Sequence, residues 1–174
     1  MRGDSDRRSC EEIYSIYYLY LMSINPYLNV EASSDFQIYE FDSIGKEKLR
    51  KRVRFDLIQE REQIYNLALC TVLADGSEDC ETASRNGDMD IVLETAANVA
   101  IVYTNRFPNR KVFFKGSNPV RSRKYQIEIV RYLNVMMKDF LIEGLIINSL
   151  NEIILREPFK NGKNYSAFIF TRKK

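Results

Sequence analysis

The hydrophobic period of the chain changes at Asn86-Gly87, and this change restricts the fold more than any other feature of the sequence. Before it, apolar and polar residues alternate, as in a half-buried strand. After it, apolar residues recur at every third or fourth position, as in an amphipathic helix. A strand-type half followed by a helix-type half must bury its apolar faces by laying helices on a sheet.

The first half predicts three strands. From Phe36 to Asp42, Tyr39 and Phe41 face one way and Ile38 and Glu40 the other, with a turn at Ser43-Ile44-Gly45. In the segment Arg52 to Leu57, Val53, Phe55 and Leu57 share an apolar face opposite the charges. Ile64 to Leu73 is apolar on both parities and closes at Asp75-Gly76, which suits a more central strand.

After the change of period, Asp88 is placed to cap a helix whose stripe is Val92, Ala96, Val99, Ala100, Tyr103 and Phe107, with Pro108 at its end. Lys111 to Lys115 reads as a strand, and Gly116-Ser117-Asn118-Pro119 opens a second helix with the stripe Tyr125, Ile129, Tyr132, Leu133, Met136 and Phe140. Leu145 to Leu155 fits neither period cleanly, and a turn at Asn161-Gly162 leads to a last strand, Tyr165 to Phe170. The expected fold is α+β: an antiparallel β-meander followed by α-β-α and a C-terminal strand, with the helices packed on one sheet.

Residues 1–34 read as an N-terminal appendage with a short helix, and residues 35–174 as a single α+β domain. The apolar stretch Ile13 to Ile24 falls short of the roughly 20 residues a membrane-spanning helix needs, so no membrane span is expected. Arg2, Arg7 and Arg8 precede it in the manner of a signal peptide, but Glu11 and Glu12 abut it and no small-residue cleavage site follows. Its expected role is packing on the domain or on a protein partner, or self-association.

There is no histidine, which removes the commonest general base, the Ser-His and Cys-His pairs and the commonest metal ligand. Three cysteines, an odd number without a Cys-x-x-Cys spacing, suggest reduced thiols, a cytoplasmic location and no zinc. Any metal would be a hard cation such as magnesium, and no cofactor is expected. The net charge of +2 does not mark the chain as nucleic-acid binding by composition.

The segment Gly116 to Tyr125 carries the sharpest chemical signal, because Arg121, Arg123 and Lys124 stand in the first turns of a helix. The helix dipole disfavours each such cation by roughly 0.3–1 kcal/mol, and a bound phosphate would offset this through free backbone N–H groups. The predicted ligand-binding residues are therefore Gly116, Ser117, Asn118, Arg121, Arg123, Lys124 and Tyr125. Arg121 shares the inward stripe with Tyr125, whereas Arg123 is rotated about 200° from Arg121 toward solvent. The structural alternative pairs Arg121 with Asp88 or Asp90.

Asn86, Asp88, Asp90 and Glu94 form a secondary candidate set. Asp90 and Glu94 share a helix face, as magnesium-binding carboxylates would, but capping and dipole complementarity are the favoured reading, because first-turn acids are what any helix prefers. The run Lys46 to Arg54 reads as a solvated strand face rather than a track for a phosphate backbone. The eleven tyrosines fit core and rim as well as base stacking.

The order Asn86-Gly87-Asp88, Val92-Leu93, Ala96-Ala97, then Gly116-Ser117 with Arg121, Arg123 and Tyr125, closed by Glu157-Pro158-Phe159 and Asn164-Tyr165-Ser166-Ala167-Phe168, resembles an uncharacterised family of small bacterial proteins. The resemblance covers about residues 36–172, departs from the family at Asn118 (threonine expected) and Lys124 (leucine expected), and implies no reaction. The order of elements is also similar to the start of ribonuclease-H-like folds, which would pair Glu40 or Asp42 with Asp88, Asp90 or Glu94 around magnesium. The functional expectation is a binding domain for a phosphate-bearing ligand, a nucleotide or a nucleic-acid backbone. The alternatives are a protein-interaction or oligomerisation module and a magnesium-dependent nuclease or phosphotransferase.

Overall fold

The computed structural model describes residues 29–173, apart from Ala83 and the side chains of residues 132–135. In chain order the strands are β1 (Glu31–Ala32), β2 (Ile38–Ile44), β3 (Lys48–Gln59), β4 (Ile64–Val72), β5 (Glu78–Asp79), β6 (Lys111–Lys115), β7 (Phe140–Ile147), β8 (Ile153–Pro158) and β9 (Ala167–Arg172). Helix α1 (Met89–Arg106) lies between β5 and β6, and α2 (Pro119–Asp139) between β6 and β7. The fold is mixed α+β around a mostly antiparallel nine-stranded sheet.

Alternation directs the pairing of β2, β3 and β4. Tyr39, Phe41, Val53, Phe55 and Tyr65 are buried on one face, and the β2–β3 and β3–β4 registers align them there. The sheet runs β1-β2-β3-β4-β6-β9-β7-β8, with β5 paired to β4 off this path. Among the described residues, the single parallel pairing joins the start of β4 to β6, because α1 carries the chain back along the sheet before β6 begins.

One core cluster unites the inward strand residues with Val92, Ala96, Val99 and Tyr103 of α1 and Ile129 of α2, so α1 and α2 cover the same face. Tyr103 stacks on Phe55 at 3.7 Å and meets Tyr65 edge-on at 6.0 Å, which places these aromatic rings in the core. A smaller cluster of Ile64, Leu145, Ala167 and Ile169 takes the opposite strand parity.

The structure differs from the sequence expectations in several places. Phe140 begins β7 instead of ending the helical stripe: its N–H closes α2 on the Met136 carbonyl, and its backbone pairs with Arg172. The ambiguous stretch from Leu145 to Leu155 contains the end of β7, a turn and the start of β8. Leu57 is 49 % exposed although it keeps the parity of Val53 and Phe55 and pairs with Tyr65; the β3–β4 register shifts just beyond it, between Leu57 and Gln59. Asp88 occupies the N-cap position of α1 but makes no side-chain capping bond. The sheet begins at β1, inside the segment expected to be an appendage. Ile13 to Ile24 and the side chains of Tyr132 and Leu133 lie outside the described residues.

The cysteine reading is also corrected. Cys70 and Cys80 form a disulfide. The β4–β5 register pairs Thr71 with Asp79 and so brings the two cysteines opposite each other, a proximity that spacing along the chain does not show. The disulfide removes the argument from cysteine number for reduced thiols and a cytoplasmic compartment.

Candidate functional site

The connection from β6 into α2 is tight because Gly116 carries no side chain. A Cβ there would lie 2.3 Å from the Ser122 nitrogen. Asn118 caps α2 by accepting the Arg121 N–H at 3.0 Å, and Pro119 fills the first turn, where its missing N–H loses no helical bond. The Ser122 hydroxyl donates to the Ser166 carbonyl at 3.0 Å, while Gln126 donates to the Lys163 carbonyl at 2.7 Å and accepts from the Tyr165 N–H at 3.2 Å. These bonds seat the first turns of α2 against the chain leading into β9.

On this base, Arg121 points back toward β5. One guanidinium nitrogen donates to the Cys80 carbonyl at 3.0 Å and to the Ser117 hydroxyl at 2.9 Å. Both acceptors are neutral, unlike the structural alternative of a pairing with Asp88 or Asp90. Asp90 instead joins Lys124 at 3.0 Å, linking the N-terminal turns of the two helices, and Asp88 accepts from the buried Ser43 hydroxyl. Arg123 turns away and donates to Asn164 at 2.7 Å. Tyr125 packs edge-on against Phe114 at 5.7 Å; burial pushes its phenol pKa up, and nearby Arg121 opposes that shift.

Lys51 joins this group, although its place in the basic run Lys46 to Arg54 predicts a solvated side chain. It is 6 % exposed, and its ammonium donates to the Thr71 hydroxyl at 2.7 Å. Burial pushes its pKa down; Asp88 and Asp79 work against that shift, and Arg121 adds to it. The signal was present in strand parity, since Lys51 shares the parity of Val53 and Phe55. Lys51, Thr71, Asp79, Arg121, Lys124 and Tyr125 line a small cavity of about 50 Å³. Arg121 and Tyr125 also line a second cavity of about 440 Å³ between the helices and the sheet.

The secondary candidates serve a different place. The Asn86 amide donates to the Ser43 hydroxyl and the Glu47 carbonyl, both at 3.0 Å, and accepts the Glu47 N–H at 2.9 Å, stitching the β2–β3 turn to the entrance of α1. Gly45 permits this, because a Cβ there would meet the Asn86 carbonyl oxygen at 2.0 Å. Among the described residues, Asp88, Asp90 and Glu94 do not form a group with converging ligand atoms.

Glu40 and Asp42 take the strand parity opposite Ser43, away from Asp88, and both accept from Arg50. The charged face of β3 is internally matched: Arg52 pairs with Glu40 and Glu78, and Arg54 with Asp56 and Glu78.

Among the described residues, no helix is long and apolar enough to cross a membrane. Comparisons with curated proteins and with solved structures give no match. A family model does match, over residues 23–173, and so covers the sheet, α1, α2 and the Lys51–Arg121 cluster: the chain belongs to the family of unknown function DUF6934.

Proposed function

We propose that this chain is a binding domain for a phosphate-bearing ligand held at the beginning of α2. The observation that carries this reading is the cluster of Lys51, Arg121 and Lys124 around one small cavity. There the buried ammonium bonds to a hydroxyl, and the guanidinium bonds to a carbonyl and a hydroxyl. Lys51 and Arg121, bonded to neutral groups beside a helix N-terminus, retain charge for an incoming anion, whereas Lys124 is paired with Asp90. A compact ligand such as a nucleotide fits this reading better than a nucleic-acid backbone, because the arginines of β3 are matched by carboxylates.

The test is a thermal-shift screen of wild type and Arg121→Ala against phosphate, sulfate, nucleotides, ADP-ribose and short DNA and RNA oligomers at two salt concentrations. A ligand of the native state raises the melting temperature by mass action. A shift confined to wild type and reduced by salt is expected. No shift, together with a strongly destabilised variant, would assign Arg121 a purely structural role.

A second reading, as an oligomerisation module, draws on exposed Leu150, Ile153 and Ile154 around the edge strand β8. Light scattering over a concentration series tests it; a constant monomer mass would exclude it.

A further inference from the structure

The large cavity shares Arg121 and Tyr125 with the small one and extends the phosphate reading to the other end of the ligand; only the charged end rests on that reading. The cavity's volume of about 440 Å³ is that of a small-molecule site. Its walls carry Leu67 and Leu69 from β4, Ala96 and Ala100 from α1, Val112 from β6 and Ile129 from α2. Thr104 also lines it, but its hydroxyl donates to the Ala100 carbonyl at 2.8 Å and is engaged within α1. Asn66, Ser117, Glu94 and Glu128 also line the cavity, so its wall is mostly but not wholly apolar.

Groups of both signs line the cavity, Lys115, Arg121 and Arg131 with Glu81, Asp90, Glu94 and Glu128. Arg121 stands at the start of α2, and Glu128, about 10 Å further along the same helix by its rise per residue, presents a carboxylate already paired with Arg131. Glu94 adds a further carboxylate from α1.

We infer that the cavity takes an amphipathic phosphate monoester, with its phosphate at Arg121, Lys51 and Lys124 and a single hydrocarbon or aromatic body lying between the helices and the sheet.

Titration calorimetry on the full chain tests this with octyl phosphate, methyl phosphate and octanol, at concentrations where octyl phosphate forms no micelles. Octyl phosphate should bind at least about tenfold tighter than methyl phosphate, since burial of its chain adds to the contacts of the head. Ala97 is exposed on α1 yet lines the cavity, so Ala97→Phe should remove the octyl advantage and leave methyl phosphate binding unchanged. Ala100→Leu provides the same comparison with a smaller side chain, and melting curves confirm that each variant is folded. Arg121→Gln should reduce octyl phosphate to the affinity of octanol. Equal binding of octyl and methyl phosphate would overturn the apolar-body inference while leaving the phosphate site intact. Equal binding of octyl phosphate and octanol, unaffected by Arg121→Gln, would overturn the phosphate site itself, and no binding of any probe would overturn both.

Discussion

Lys51 holds an ammonium group where a strand interior normally carries an apolar side chain, and its pKa is pushed below the ordinary 10.5 by burial. Between that lowered value and 10.5 the unfolded chain binds more protons than the native one, so stability rises with pH across this window. Lys51→Met should therefore raise the melting temperature of the unliganded protein near neutral pH, by an amount equivalent to about 1 kcal/mol. The difference should shrink as pH approaches 10.5. Melting curves at several pH values check this; a clear loss of stability in the variant would make Lys51 a structural bond to Thr71 and nothing more. The outward turn of Arg123 was readable from its angle on the helix. The partners of Arg121 were not, because a carbonyl and a hydroxyl carry no charge pattern that a sequence displays.

Two elements set the geometry of the site. Gly116 passes so close to Ser122 that Gly116→Ala must displace the start of α2. The expected cost is about 1–3 kcal/mol, with loss of phosphate-dependent thermal shift; a folded variant with an unchanged shift would show that the site does not depend on this approach. The Cys70–Cys80 disulfide ties β5 to β4 and so fixes the carbonyl that Arg121 uses. Reduction should lower stability by about 2–4 kcal/mol and weaken phosphate binding, measured by melting and titration with and without dithiothreitol. Unchanged binding after reduction would mean that strand pairing alone holds Cys80 in place. Helix α2 was legible because Asn118-Pro119 marks its start locally. The strand beginning at Phe140 was not, because Phe140 sits at helical spacing from Met136 and only pairing with Arg172 makes it a strand residue.

At the scale of the whole molecule, the change of period at Asn86-Gly87 made the α+β class readable, whereas the sheet order was not. The parallel contact of β4 with β6 and the position of β9 between β6 and β7 are long-range pairings that no local pattern records. Phe168 and Phe170 of β9 belong to the main core, and Ala167 and Ile169 to the cluster on the other parity. A chain ending at residue 165 should therefore show no cooperative unfolding transition by calorimetry; a normal transition would mean that β6 and β7 close without their central strand. The position of β9 also bears on synthesis at the ribosome. Until residues 167–172 clear the exit tunnel, β6 and β7 each expose an unpaired edge and half of an aromatic core. The nascent chain must wait for β9 before the sheet closes between β6 and β7.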